Sequence, residues 1–200
     1  MKSQAHKYFA SMLIAIAFVS LAYVSIKAVK VSSKTQMSTS DGVYTSYISS
    51  SKEIKQKAYV LSRDCNSKLC KVQALLDFVS SIPYSTSTFQ QNSPQKTIQK
   101  NFGDCDDKSN LLISMLDALD IEAYFVLVPE HIFVIVPLDD KRLANIKGLW
   151  VGGRKYYVLE STAKDSKVGY DLKYGLDEID VIIEPFSNEK IELESLKYEI

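Results

Sequence analysis

The sequence predicts an α+β domain preceded by one apolar helix, and three observations carry that prediction. Apolar residues recur at helical spacing in the first half of the chain, at Val72, Leu75, Leu76 and Val79, and again through Leu111, Leu112, Met115, Leu116 and Leu119. Two short, continuously apolar runs follow, Ala123–Val128 and His131–Val136, as strands covered on both faces read. Ahead of both lies a run from Phe9 to Ile26 without a charged residue or a polar face. Helices first and strands afterwards describe helices packed on an antiparallel sheet.

Composition sets the limits. A chain of 200 residues that is 46% hydrophobic and 24% charged has enough apolar surface for one sizeable core. Its 24 basic and 24 acidic side chains cancel, and Lys and Arg form no stripe interleaved with aromatic residues. Nucleic acid is therefore not an expected partner.

The apolar run from Phe9 to Ile26 follows Lys2, His6 and Lys7, the pattern of an export signal or of a single membrane anchor. Ser20-Leu21-Ala22 offers small residues for cleavage, whereas Lys27, Lys30 and Lys34 resemble the second flank of a retained helix. Residues 1–30 are thus read as a signal peptide or transmembrane helix, with the orientation open. Residues 31–52, rich in Ser, Thr and Lys, are read as a tether, and residues 53–200 as the folded domain. The domain is expected outside the cytoplasm, either anchored or secreted.

Cys65 and Cys70 flank the sequence NSKL. In one continuous helix they would rise about 7.5 Å apart and point to different faces. A disulfide therefore requires a break, which Asn66-Ser67 can supply if a new helix begins near Lys68. The alternative is two small buried hydrophobes. Either way Cys105 is the odd thiol, and an odd thiol in an exported chain is a candidate nucleophile.

The helix containing Val72 and Val79 is expected to end at Ser80-Ser81-Ile82-Pro83. Tyr84 to Lys100, mostly Ser, Thr, Gln and Asn, is read as a surface loop bordering a site. The next helix begins with Asp104 as its N-cap and Asp106 and Asp107 in its first turn, where the dipole favours negative charge. Ordinary helix-start chemistry accounts for those acids. A calcium loop does not, since Lys108 and Asn110 occupy positions that need a carboxylate and the loop's Gly spacing, and no metal or other cofactor is expected.

Cys105 at this helix start feels opposed fields: backbone N–H groups favour the thiolate and the three aspartates oppose it. A nearby imidazolium would decide the balance. His6 lies before the apolar run, so His131 is the one candidate. A third strand is expected over Lys155–Leu159 after an 18-residue connector, 137–154, with Gly148, Gly152 and Gly153. If Val136 faces Lys155 in antiparallel pairing, His131 faces Glu160. The carboxylate could then hold the imidazole's tautomer and charge, which makes Cys105, His131 and Glu160 a candidate nucleophile, base and acid. Beyond Tyr170, Val181–Ile183 and Lys190–Leu193 are expected to add an edge to the sheet.

From about Val72 to Ala163 the chain resembles the transglutaminase-like superfamily, which shares the papain-like Cys-His-Asp arrangement. The resemblance rests on Ile82-Pro83-Tyr84, on GDCDDKSNLL around Cys105, on HIFV beginning at His131 and on LEST at 159–162. It implies a nucleophile at Cys105, a general base at His131 and an acid at Glu160, followed by Thr162. Glu160 stands where the family has Asp, and Ser161 where it has Pro. The implied chemistry is acyl transfer through a thioester on a peptide or protein substrate, by hydrolysis or by crosslinking to an amine. Two other readings stand beside it: a non-catalytic module of the same fold that binds a partner at the membrane surface, and an unrelated structural domain with a buried Cys105.

Overall fold

The computed structural model describes residues 12, 14–25, 39–40, 43–44, 46–86, 91–193 and 195–200. Residues 12 and 14–25 are helical. Among the described residues no helix is long and apolar enough to cross a membrane. The expected span from Phe9 to Ile26 begins and ends outside the described residues.

Among the other described residues, besides two short 3-10 turns, are four α-helices and nine strands: β1 (Thr39–Ser40), β2 (Val43–Tyr44), α1 (Lys52–Ser62), α2 (Lys68–Ser81), α3 (Pro94–Lys100), α4 (Cys105–Asp117), β3 (Tyr124–Val128), β4 (His131–Val136), β5 (Gly148–Val151), β6 (Arg154–Leu159), β7 (Val181–Ile183), β8 (Lys190–Ile191) and β9 (Leu196–Glu199). Strands β1 and β2 pair with each other. The other seven form one sheet in the order β8-β7-β3-β4-β6-β5-β9, with every neighbouring pair antiparallel. The architecture is α+β, as expected from the sequence.

Alternation along the strands divides the core in two. Phe125, Leu127, Ile132, Val134, Val136, Tyr157 and Leu159 face the helices and join Leu111, Leu112, Met115 and Leu116 of α4. Val126, Val128, Phe133, Ile135, Tyr156 and Val158 point the other way, beneath Tyr170, Leu172 and Tyr174 of the segment after β6. Both strands of the central hairpin are thus covered on both sides, which is why they lack polar alternation. Helix α4 packs directly on β4, bringing the N-terminus of one beside the first residue of the other.

Several expectations are revised. The tether expected over 31–52 is packed against the domain at its end: Tyr44 is 2% exposed, its hydroxyl meets Asp106 Oδ1, and the Tyr47 N–H donates to Asn110 Oδ1 at 2.7 Å. The expected loop over 84–100 contains α3, capped by the Ser93 side chain and opened by Pro94. That Ser-Pro pair is a helix-start signal. The connector 137–154 contains β5, whose Trp150 pairs with Lys155 of β6 across the β5–β6 hairpin. The tail supplies both edges of the sheet, β8 on one side and β9 on the other.

Candidate active site

Cys105 is the first residue of α4, and Asp104 caps the helix by accepting the Asp107 N–H at 3.1 Å. Two of the acids beside the thiol have structural partners. Asp106 Oδ1 receives the Tyr44 hydroxyl and Asn110 Nδ2. Asp107, fully buried, accepts the Asn92 backbone N–H and side-chain Nδ2, each at 2.6 Å. Burial raises the Asp107 carboxyl pKa above its usual value, although the Asn92 donors oppose the shift. These bonds tie both the segment before α1 and the chain ahead of α3 to the helix that carries the thiol.

His131 opens β4, and Glu160 directly follows β6. The expected register is displaced by two residues: Val136 faces Tyr157, and Val134 faces Leu159. The two side chains nevertheless meet, with His131 Nε2 2.8 Å from Glu160 Oε2. A shift of two restores the same face of a strand, where a shift of one would have separated them. Contact is then made diagonally, within reach of a long side chain. Glu160 Oε1 accepts both the Thr162 N–H at 2.9 Å and its hydroxyl at 2.5 Å. Ser161 lies with its Oγ 3.5 Å from that of Ser109 on α4.

Burial pushes the His131 pKa down, but hydrogen bonds to Cys105 and Glu160, reinforced by the charges of both, outweigh it and raise the pKa to about 9. Glu160 is likewise disfavoured by burial and recovered by His131 and Thr162, so its carboxyl lies below the usual value. With Nε2 engaged by Glu160, Nδ1 is the nitrogen left to meet the thiol. The arrangement thus places a free, buried thiol, an imidazole biased towards its charged form and a carboxylate that accepts from three donors in one chain of contacts. Among the described residues there is no cluster fit to hold a metal ion.

Two further features had no clear sequence signature. Tyr174 lies over His131, with ring centroids 5.8 Å apart and planes at 20°, and runs nearly parallel to Phe133. With Tyr170 and Lys173 these rings wall a cleft of about 340 Å³ on the imidazole side. Lys108, one turn along α4 from Cys105, is 1% exposed and donates to Ile82 O at 2.8 Å. Burial lowers its pKa to about 8, against the opposing pull of Glu160. Of the two readings of Cys65 and Cys70, the structure has the disulfide, with Cα atoms 5.4 Å apart. It lies in the break between α1 and α2, where Ser67 caps a helix beginning at Lys68.

No curated protein matches the chain. Three solved structures resemble parts of it. A candidate cysteine protease from Cytophaga hutchinsonii is 20% identical at a TM-score of 0.46, over 63% of this chain and 43% of its own. A candidate protease from Parabacteroides distasonis is 17% identical at 0.37, over 57% of this chain and 26% of its own. Legionella pneumophila LapG is 12% identical at 0.38, over 57% and 76%. The chain therefore spans less than half of the first two. Residues 55–132 match the sequence profile of the transglutaminase-like superfamily, a segment that includes Cys105 and His131 and stops short of Glu160. Over that segment the chain is similar to the transglutaminase-like superfamily.

Proposed function

We propose that the domain is a thiol-dependent acyl-transfer enzyme acting on amide or peptide substrates, with Cys105 as nucleophile, His131 as proton carrier and Glu160 as the group that orients and charges the imidazole. The observation that carries this reading is the 2.8 Å contact of His131 Nε2 with Glu160 Oε2 at a largely buried position, beside a free thiol at the start of α4. Burial alone would keep an imidazole neutral, so its charge is supported by the Cys105 and Glu160 partners. Such a pair activates a thiol for attack on a carbonyl.

In the reaction, the Cys105 sulfur bonds to the carbonyl carbon and the carbonyl π pair moves to oxygen. As that pair returns, the C–N bond breaks and the departing nitrogen takes the proton held at His131. Water, deprotonated by the now neutral imidazole, then attacks the thioester and releases a carboxylic acid and the Cys105 sulfur. An amine in place of water gives crosslinking. The apolar run at Phe9–Ile26 supports attachment to, or passage through, a membrane, and with the disulfide it supports an extracytoplasmic domain.

The test is stoichiometric acylation of the full chain by an aryl ester, read by intact mass. Cys105 is expected to gain one acyl group, and Cys105→Ala and His131→Ala to gain none at a comparable rate. A wild-type protein that is not acylated, while its thiol alkylates no faster than cysteine, would overturn the reading in favour of a binding module.

A further inference from the structure

Acyl transfer through a thioester passes an intermediate whose oxygen carries a negative charge, and fixed donors aimed at that oxygen lower the barrier. The first turn of α4 supplies one. N–H groups there have no acceptor within the helix. That of Asp107 is taken by Asp104 Oδ1, and the regular helix bonds begin with the Lys108 N–H on the Asp104 carbonyl. The Cys105 N–H stands at the nucleophile itself.

A second strand of chain is laid beside it. The Gly103 N–H donates to Pro83 O at 3.2 Å and the Ser85 N–H donates to Gly103 O at 3.1 Å, which makes Tyr84 and Gly103 partners in a parallel bridge. Chains so paired lie about 4.8 Å apart, and Cys105 follows Gly103 by two residues. The same segment is gripped from the helix side, where Lys108 Nζ donates to Ile82 O at 2.8 Å and to Ser80 O at 3.4 Å. Residues 80–85 are therefore pinned both before and after the nucleophile. Even so, the Tyr84 side chain is 55% exposed, so core packing does not explain a large aromatic residue at this position. Its phenol is raised from the ordinary value, first by partial burial and then by the charges of Cys105 and Asp104. A phenol in that range remains a hydrogen-bond donor at neutral pH.

The geometry points to Tyr84 as the second donor of the oxyanion hole, its hydroxyl and the Cys105 N–H together holding the oxygen that becomes negative when Cys105 attacks a carbonyl. This inference rests on the acyl-transfer reading.

Two reactions of Cys105 separate the possibilities. Alkylation by iodoacetamide forms a C–S bond with loss of iodide and creates no oxyanion. Acylation by an aryl ester forms a C–S bond, moves the carbonyl pair onto oxygen and then expels the aryloxide. Tyr84→Phe, which removes one oxygen atom from an exposed ring, is expected to slow acylation by about 10²–10³, the usual loss for one oxyanion donor, with alkylation rate and melting temperature unchanged. Unchanged acylation would overturn the assignment. Equal slowing of both reactions would also overturn it, since Tyr84 would then act on the thiol and not on the intermediate. A wild-type protein that alkylates rapidly but is never acylated would remove the acyl-transfer reading and this one with it.

Discussion

His131 Nε2 lies 2.8 Å from Glu160 Oε2, while Glu160 Oε1 is occupied by both donors of Thr162. One oxygen fixes the carboxylate and the other fixes the imidazole. Glu160→Gln keeps the shape but presents a neutral amide to the ring, so acylation of Cys105 is expected to fall by up to about 10⁴, as when an aspartate that orients a histidine is neutralised. Glu160→Asp is also expected to lose activity, because the diagonal reach across the strands requires the longer side chain. Acylation rates with melting temperatures distinguish these effects. Full activity in the Gln variant at an unchanged melting temperature would show that the carboxylate has no part in the reaction.

The contacts of His131 with Cys105 and with Glu160 together make stability depend on pH. The folded pKa of His131, about 9, exceeds the unfolded value near 6.5, so the folded state binds the extra proton. Its contribution, on the order of 3 kcal/mol, is complete below about pH 6.5 and disappears as pH rises through about 9. Glu160 behaves in the opposite sense: its lowered pKa contributes stability above the ordinary carboxylate range that is lost on acidification. Subtracting the unfolding free energy of Glu160→Gln from that of the wild type at a series of pH values should give a plateau between these limits. A flat difference across pH 6–10 would mean the pair does not form.

The Cys65–Cys70 bridge closes a loop of sequence separation 5. Loop-closure entropy for so short a ring is about 2 kcal/mol, and reduction is expected to lower stability by that order. Protein prepared without reductant should carry one alkylatable thiol under denaturing conditions, at Cys105, and three after reduction. Three without reductant would place the domain in a reducing compartment or show that the bridge does not form there.

Local chemistry was enough to read α2, α4 and the β3–β4 hairpin from the sequence, because each rests on a short-range signal: a 3.6-residue apolar period, an Asp N-cap, two continuous apolar runs. The candidate site was legible for a related reason, since its thiol lies at a helix start and its imidazole at a strand start. Sequence alone also required a break between Cys65 and Cys70, because a continuous helix would hold them on different faces. Other features depended on partners distant in the chain. The register of β6 on β4 is set by packing on both faces of the sheet, and only the two-residue period of a strand allowed His131 and Glu160 to meet despite the displaced pairing. The aspartates beside Cys105 read as helix-start residues, yet Asp106 meets Tyr44, 62 residues away, and Asp107 meets Asn92. Tyr174 over His131 and Tyr84 beside Gly103 arise from the crossing of segments with no local relation to the strand or helix they adjoin. Short-range patterns determined which elements form and which residues were candidates for chemistry; tertiary packing decided register, burial and the company each charge keeps, because those depend on contacts across long stretches of chain.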